Sequence, residues 1–71
     1  MKPDASKHNP DVAYLRGLVE QAGISQNEAA RLLGITGRTI RYYLSYNAKH
    51  HEAPYLVQFA LECLANNKHN A

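Results

Sequence analysis

The chain has 71 residues, 45% of them hydrophobic, a single cysteine and a formal net charge of +2. That length holds one domain, whose core alone supplies about 3–5 kcal/mol, so a further source of stability is expected. One cysteine excludes an intrachain disulfide and fits a reducing cytosol, no apolar run approaches membrane length, and no basic-then-apolar leader opens the chain, which together predict an intracellular protein stapled by self-association.

Residues 1–9 are polar, lack apolar spacing and include Pro3. They read as a flexible arm. Such an arm is either simply frayed or carries Lys2, Lys7 and His8 to a phosphate or a minor groove. Asn9 before Pro10 predicts a helix start, with proline at the first helical position. The helix then runs to about Ala22 on a stripe of Leu15, Leu18, Val19 and Ala22, and Gly23 closes it. Arg16 and Gln21 lie off that stripe and read as solvated. Ile24 is placed to pack where the second helix begins.

Ser25 with Glu28 three residues on has the form of a capping box and opens that second helix. Its expected buried set is Ala29, Ala30, Leu32 and Leu33, the small alanines allowing a close crossing. Gly34 ends it where a left-handed backbone is needed. Ile35 fills the gap, and Thr36 caps a third helix with Gly37, Arg38 and Thr39 in its first turn. Ile40, Tyr43 and Leu44 turn one way. Arg38, Arg41, Tyr42 and Ser45 fall at i, i+3, i+4 and i+7 and share the other side. Two short helices joined by a tight glycine turn, the second with an arginine, tyrosine and hydroxyl front, form a helix-turn-helix built to lie in a DNA groove.

Charge placement agrees. From Ala29 to His51 the chain carries Arg31, Arg38, Arg41 and Lys49 and no acidic residue. A basic window over the reading helix favours an anionic partner. Tyr46 to Ala53 is a polar connection in which Asn47, Lys49, His50 and His51 are candidates for contact with a DNA backbone. His50, His51, Glu52 and Cys63 match no metal-ligand spacing, so no metal site is predicted.

Pro54 opens the last helix, PYLVQFALECLAN. Gln58, Glu62 and Asn66 form a polar stripe, with Leu56, Phe59, Ala60 and Cys63 along one side and Val57, Leu61 and Leu64 along another. Two apolar sides are more than a small bundle needs, which predicts a homodimer through this helix with Val57, Leu61 and Leu64 at the interface. Residues 67–71 read as a disordered tail. The expected architecture is all-α: a helix-turn-helix bundle of about four helices over residues 10–66, dimerising through its C-terminal helix.

AGISQ, AARLLGI through the turn and RYYLS in the reading helix resemble a small prokaryotic or phage repressor. Joined to PDAS, YLRGL and APYLVQFALECLAN, the set is similar to the anti-CRISPR-associated regulators of phages and mobile elements, over Pro3 to Asn66. That resemblance implies a dimeric repressor that binds an inverted repeat in the promoter of an anti-CRISPR operon and represses it, with Arg38 as the base-reading arginine. Related sequences can be basic where this chain has Asn27 and Glu28. Since Glu28 cannot hold a phosphate, the backbone contact falls to Gln26, Asn27 and the helix N-terminus.

The expected DNA-binding set is therefore Gln26, Asn27, Thr36, Arg38, Thr39, Arg41, Tyr42 and Ser45. The partners are double-stranded DNA and a second copy, with no membrane, cofactor or small-molecule ligand, in the cytoplasm of a bacterial host. A rival reading is a protein-interaction module such as an antitoxin or a polymerase-binding phage factor. An enzyme is disfavoured: there are no paired carboxylates, no Cys–His spacing and no glycine-rich phosphate cradle.

Overall fold

The computed structural model describes residues 2–46 and 52–70, the side chains of 68–70 excepted. A 3₁₀ turn, Ala5–Lys7, is followed by four α-helices: α1 Val12–Ala22, α2 Gln26–Leu33, α3 Gly37–Tyr43 and α4 Tyr55–Asn70. No strand occurs among the described residues, so the chain is all-α, a small helical bundle. α1 packs on α4, α3 packs on α2, and α2 also touches α4. Among the described residues no helix is long and apolar enough to cross a membrane.

The helix ends follow local chemistry. α1 starts two residues later than the proline suggested: Asp11 is the N-cap, and its carboxylate accepts the Tyr14 N–H at 3.1 Å. A carboxylate at a helix N-terminus satisfies an orphan donor and meets the positive end of the helix dipole, which outweighs the preset φ of Pro10. The Asn9 side chain caps the approach by accepting the Asp11 N–H. Gly23 closes α1 at φ 72°. Ser25 caps α2 by accepting the Glu28 N–H at 3.0 Å. Only half of the capping box forms, because the Glu28 carboxylate turns to Arg31, with bonds of 2.6 and 2.7 Å.

Gly34 is the residue on which the α2–α3 turn depends. At φ 76° its N–H donates to Arg31, while the Ile35 N–H reaches back to Ala30 at 3.0 Å. This pair of bonds ends a helix on a left-handed residue and satisfies its last carbonyls. Thr36 then caps α3, its hydroxyl accepting the Thr39 N–H at 3.0 Å.

Leu15, Leu18 and Val19 of α1, Ala29 and Ala30 of α2, Ile40 and Leu44 of the α3 segment, and Leu61 and Ala65 of α4 form one core with Ala53. Ile24, Leu33, Ile35 and Tyr43 pack around it. Leu32, expected inside, is 48% exposed. An eight-residue helix lying against both α3 and α4 turns Ala29 and Ala30 inward, and Leu32 falls off that side.

α4 is rotated from the expected orientation. Gln58 is 1% exposed, and it and Glu62 of the polar stripe face α1 and the N-terminal residues, while Asn66 stays exposed. Its amide accepts the Asn9 N–H at 2.7 Å and donates to the Lys7 carbonyl and the Glu62 carboxylate at 3.0 and 3.1 Å. Glu62 also accepts the Tyr14 hydroxyl of α1. That bond, aided by burial, pushes the Tyr14 phenol up to about 12.

Polar side chains turn inward because the N-terminal residues bring backbone groups for them to satisfy. Residues 2–9, read as a flexible arm, are held as a strap: the Asp4 N–H donates to the Tyr55 hydroxyl at 2.7 Å and the His8 ring nitrogen bonds the Ala53 carbonyl at 2.8 Å. The rotation places the residues expected at a dimer contact against this chain's own core. Leu61 is 1% exposed in this chain's own core, with Val57 and Leu64 packed against it. Leu56, 77% exposed, lies on the outer side together with half-buried Phe59, Ala60 and Cys63. α4 also continues to Asn70, through most of the segment read as a disordered tail.

Candidate nucleic-acid interface

α3 has seven residues and is about 10 Å long. A helix this short does not hold itself in water and relies on its neighbours. Ile40 and Leu44 are buried to 0% and 1% exposure and fix its back. The front carries Arg38 and Arg41, both exposed, and Tyr42, 41% exposed.

The structure joins two of the sequence-predicted positions, Asn27 and Arg41, into one unit. The Arg41 Nη1 donates to Asn27 Oδ1 at 3.0 Å, tying the first turn of α2 to α3. Gly37 lies directly beneath: a Cβ there would sit 2.6 Å from Asn27 Oδ1 and 3.1 Å from Arg41 Nη1. The glycine that reads in sequence as one residue of a first turn is thus the clearance that lets Arg41 cross to α2. Thr36 and Thr39 have hydroxyls 2.9 Å apart and serve the cap. Arg38 makes no hydrogen bond or ion pair to another described residue, so its guanidinium is available to a ligand.

Arg31 differs from Arg38. Its two bonds to Glu28 hold the Glu28 carboxyl below the usual carboxylate range and raise the guanidinium above its own. The pair is exposed, and it removes one cation from the basic window as far as an incoming anion is concerned.

Two predicted residues stand apart. Ser45 lies beyond the end of α3, since Leu44 is already the C-cap. It lines a cavity of about 350 Å³ with Pro10, Asp11, Val12, Tyr46 and Glu52, so it does not continue the i, i+3, i+4 face. Gln26 begins α2 on the side toward α1, in a groove of about 450 Å³ that also exposes Ala13, Arg16, Glu20 and Tyr46.

Arg16, read as solvated, is exposed, but sequence reading missed its contacts: it donates its Nε to the Leu44 carbonyl at 2.6 Å and lies 4.9 Å above the Tyr46 ring. A cation on the last carbonyls of a helix opposes the negative end of its dipole. The available signal was an arginine one side off the apolar stripe of α1 and an exposed tyrosine just past α3, which spacing alone does not connect.

Among the described residues no three metal-ligating side chains converge. Asn47, Lys49, His50 and His51 lie outside the described residues. No protein-family profile matches the chain, and no curated protein sequence matches it.

Proposed function

We propose that this chain is a sequence-specific, dimeric DNA-binding repressor of the anti-CRISPR-associated kind. It acts in the cytoplasm of a bacterial host on an inverted repeat in the promoter of its own operon. The observation that carries the reading is the α3 front: Arg38 is exposed and unneutralised beside Arg41, on a helix whose back is fully buried and whose first turn is capped. An arginine fork on a fixed helix matches guanine O6 and N7 in the major groove. Arg41, held by Asn27, and Gln26 supply backbone contacts, and Tyr42 lies where it meets a thymine methyl or a phosphate.

The dimer belongs to the inverted-repeat reading. Two reading helices must sit about 34–36 Å apart to enter successive major grooves. One chain carries one such helix, so the reading assigns each half-site its own copy. The outer side of α4, with Leu56, Phe59, Ala60 and Cys63, is the apolar surface left over for that contact. Repression is steric, a dimer occupying the promoter and excluding polymerase. No catalytic step, cofactor or small-molecule ligand belongs to this reading.

The test is selection of bound duplexes from a random pool, followed by titration of the selected site. Arg38→Ala should weaken binding by about 1–3 kcal/mol and relax preference at one base pair of each half-site. Failure to enrich any symmetric sequence would remove the repressor reading. Binding that barely responds to salt would favour a protein-interaction module, because contacts to phosphates weaken steeply with salt.

A further inference from the structure

We infer that Arg16 of α1, with Gln26 of α2, forms a preset clamp for a phosphodiester of the duplex backbone at the edge of the α3 face. The inference rests on the DNA-binding reading and assigns that site a residue from outside the helix-turn-helix. Three observations carry it. The Arg16 guanidinium is fixed at two points, by its Nε bond to Leu44 and by the Tyr46 ring. Its two terminal nitrogens have no partner among the described residues, so the edge of the fork that binds oxygen pairs is open. That edge shares a groove of about 450 Å³ with Gln26, a neutral donor at the start of α2.

Placement makes the groove part of the same surface. Asn27, next to Gln26, holds Arg41 of α3, so a line from Arg41 through Asn27 and Gln26 leads to Arg16. A duplex whose major groove receives α3 passes a flanking strand over that line. Because Arg16 is already immobilised, little side-chain entropy remains to be lost on contact. Glu20 lines the same groove one turn further along α1 and forms no ion pair with Arg16. Its carboxylate opposes a phosphate there and gives a second handle on the site.

The experiment measures binding of the full chain to mixed-sequence duplex by fluorescence anisotropy across a salt series, with circular dichroism confirming helicity. Each phosphate contact contributes about 0.9 to the slope of log affinity against log salt. Arg16→Gln should lower that slope by about 0.9 and weaken low-salt binding roughly tenfold. Arg16→Lys keeps the charge and should keep most of the slope. Glu20→Gln, which leaves the Leu44 anchor intact, should tighten binding several-fold at low salt and converge with wild type at high salt. An unchanged slope in Arg16→Gln, or equal slope losses in the Gln and Lys variants, would show that Arg16 only braces α3. If Arg16→Gln loses its helicity, the Lys and Glu20 variants decide: unchanged affinity in Glu20→Gln overturns the clamp. Wild-type protein that binds no duplex removes the DNA-binding reading itself and the clamp with it. Steep wild-type binding with a silent Arg16 removes the clamp alone.

Discussion

Replacing Gln58 by leucine tests whether the N-terminal strap belongs to the fold. The side chain is 1% exposed and makes one accepted and two donated hydrogen bonds, with Asn9, Lys7 and Glu62. Leucine nearly keeps its volume and removes all three. A neutral bond contributes about 0.5–1.5 kcal/mol and one to a charged group about 1.5–3, so the three together amount to about 2.5–6 kcal/mol if every partner stays buried and unpaired. They need not stay so. Residues 7 and 9 are exposed and can lift away to water, and Glu62 keeps the Tyr14 hydroxyl. The cost then falls to the lower end, about 2–3 kcal/mol, with release of the strap as its structural sign. For a domain of this size that lowers the melting temperature by roughly 10–20 °C. Thermal melting by circular dichroism reads the first quantity. Amide exchange reads the second: the Asn9 and Asp4 amides should lose protection, while the Ile40 amide, deep in the core, exchanges only on global unfolding. A variant that melts within a few degrees of wild type and still protects the Asn9 amide would refute the reasoning.

Three further outcomes are open to measurement. Tyr14→Phe should cost stability near neutrality, and the cost should fade in alkali. The Tyr14 phenol rises from 10.0 to about 12 on folding because Glu62 holds its proton, so between those values the unfolded chain releases the proton and the folded chain keeps it. The contribution is full below about pH 10 and lost as pH climbs through about 12, which urea titrations of both proteins over that window would show. Gly37→Ala should leave melting within about 1 kcal/mol of wild type, since better helix propensity offsets a lost side-chain hydrogen bond. It should nevertheless weaken DNA binding by pushing Asn27 off Arg41, as anisotropy titration would report. Leu56→Asp, at a 77% exposed position, should leave a folded monomer by light scattering and circular dichroism, whereas Leu61→Asp should unfold the chain. A dimer that survives Leu56→Asp places the contact elsewhere.

What the sequence made legible was what local chemistry decides. Gly34 at positive φ, Thr36 as a cap, the apolar stripe of α1 and the burial of Ile40 and Leu44 each follow from residues within a turn of one another. The failures that moved α4 and the N-terminal residues involve partners far apart in the chain. Gln58 reads as solvent-facing because a polar residue every four positions usually marks a wet side. Here the nearest donors and acceptors are Lys7 and Asn9, about fifty residues away. Arg16 is exposed, as its place off the apolar stripe predicts, but its bond to the distant carbonyl of Leu44 was illegible for the same reason. The rotation of α4 carried the interface assignment with it: once Gln58 turned inward, Leu61 had to enter the core and Leu56 had to leave it. Period gives the angle between residues on a helix, but only tertiary partners fix which angle faces in.

The same distant contacts account for how a helix as short as α3 can be held in place. Seven residues form too few internal hydrogen bonds to repay the ordering of their backbone, so α3 owes its shape to what holds its ends and back. Thr36 fixes the start, Ile40 and Leu44 fix the back, and Arg16 from α1 reaches the Leu44 carbonyl at the finish. Arg41 adds a tie to α2 through Asn27, with Gly37 leaving the room. Arg38 lies between these anchors and is not spent on any of them. A side chain that is mobile at its tip but mounted on a fixed helix loses little backbone freedom on contact, so its attraction to a partner is realised almost undiminished. That division of labour separates Arg38 from Arg31, whose fork is already closed on Glu28, and it is why the proposed reading assigns contact with an anion to α3, which carries no acidic residue.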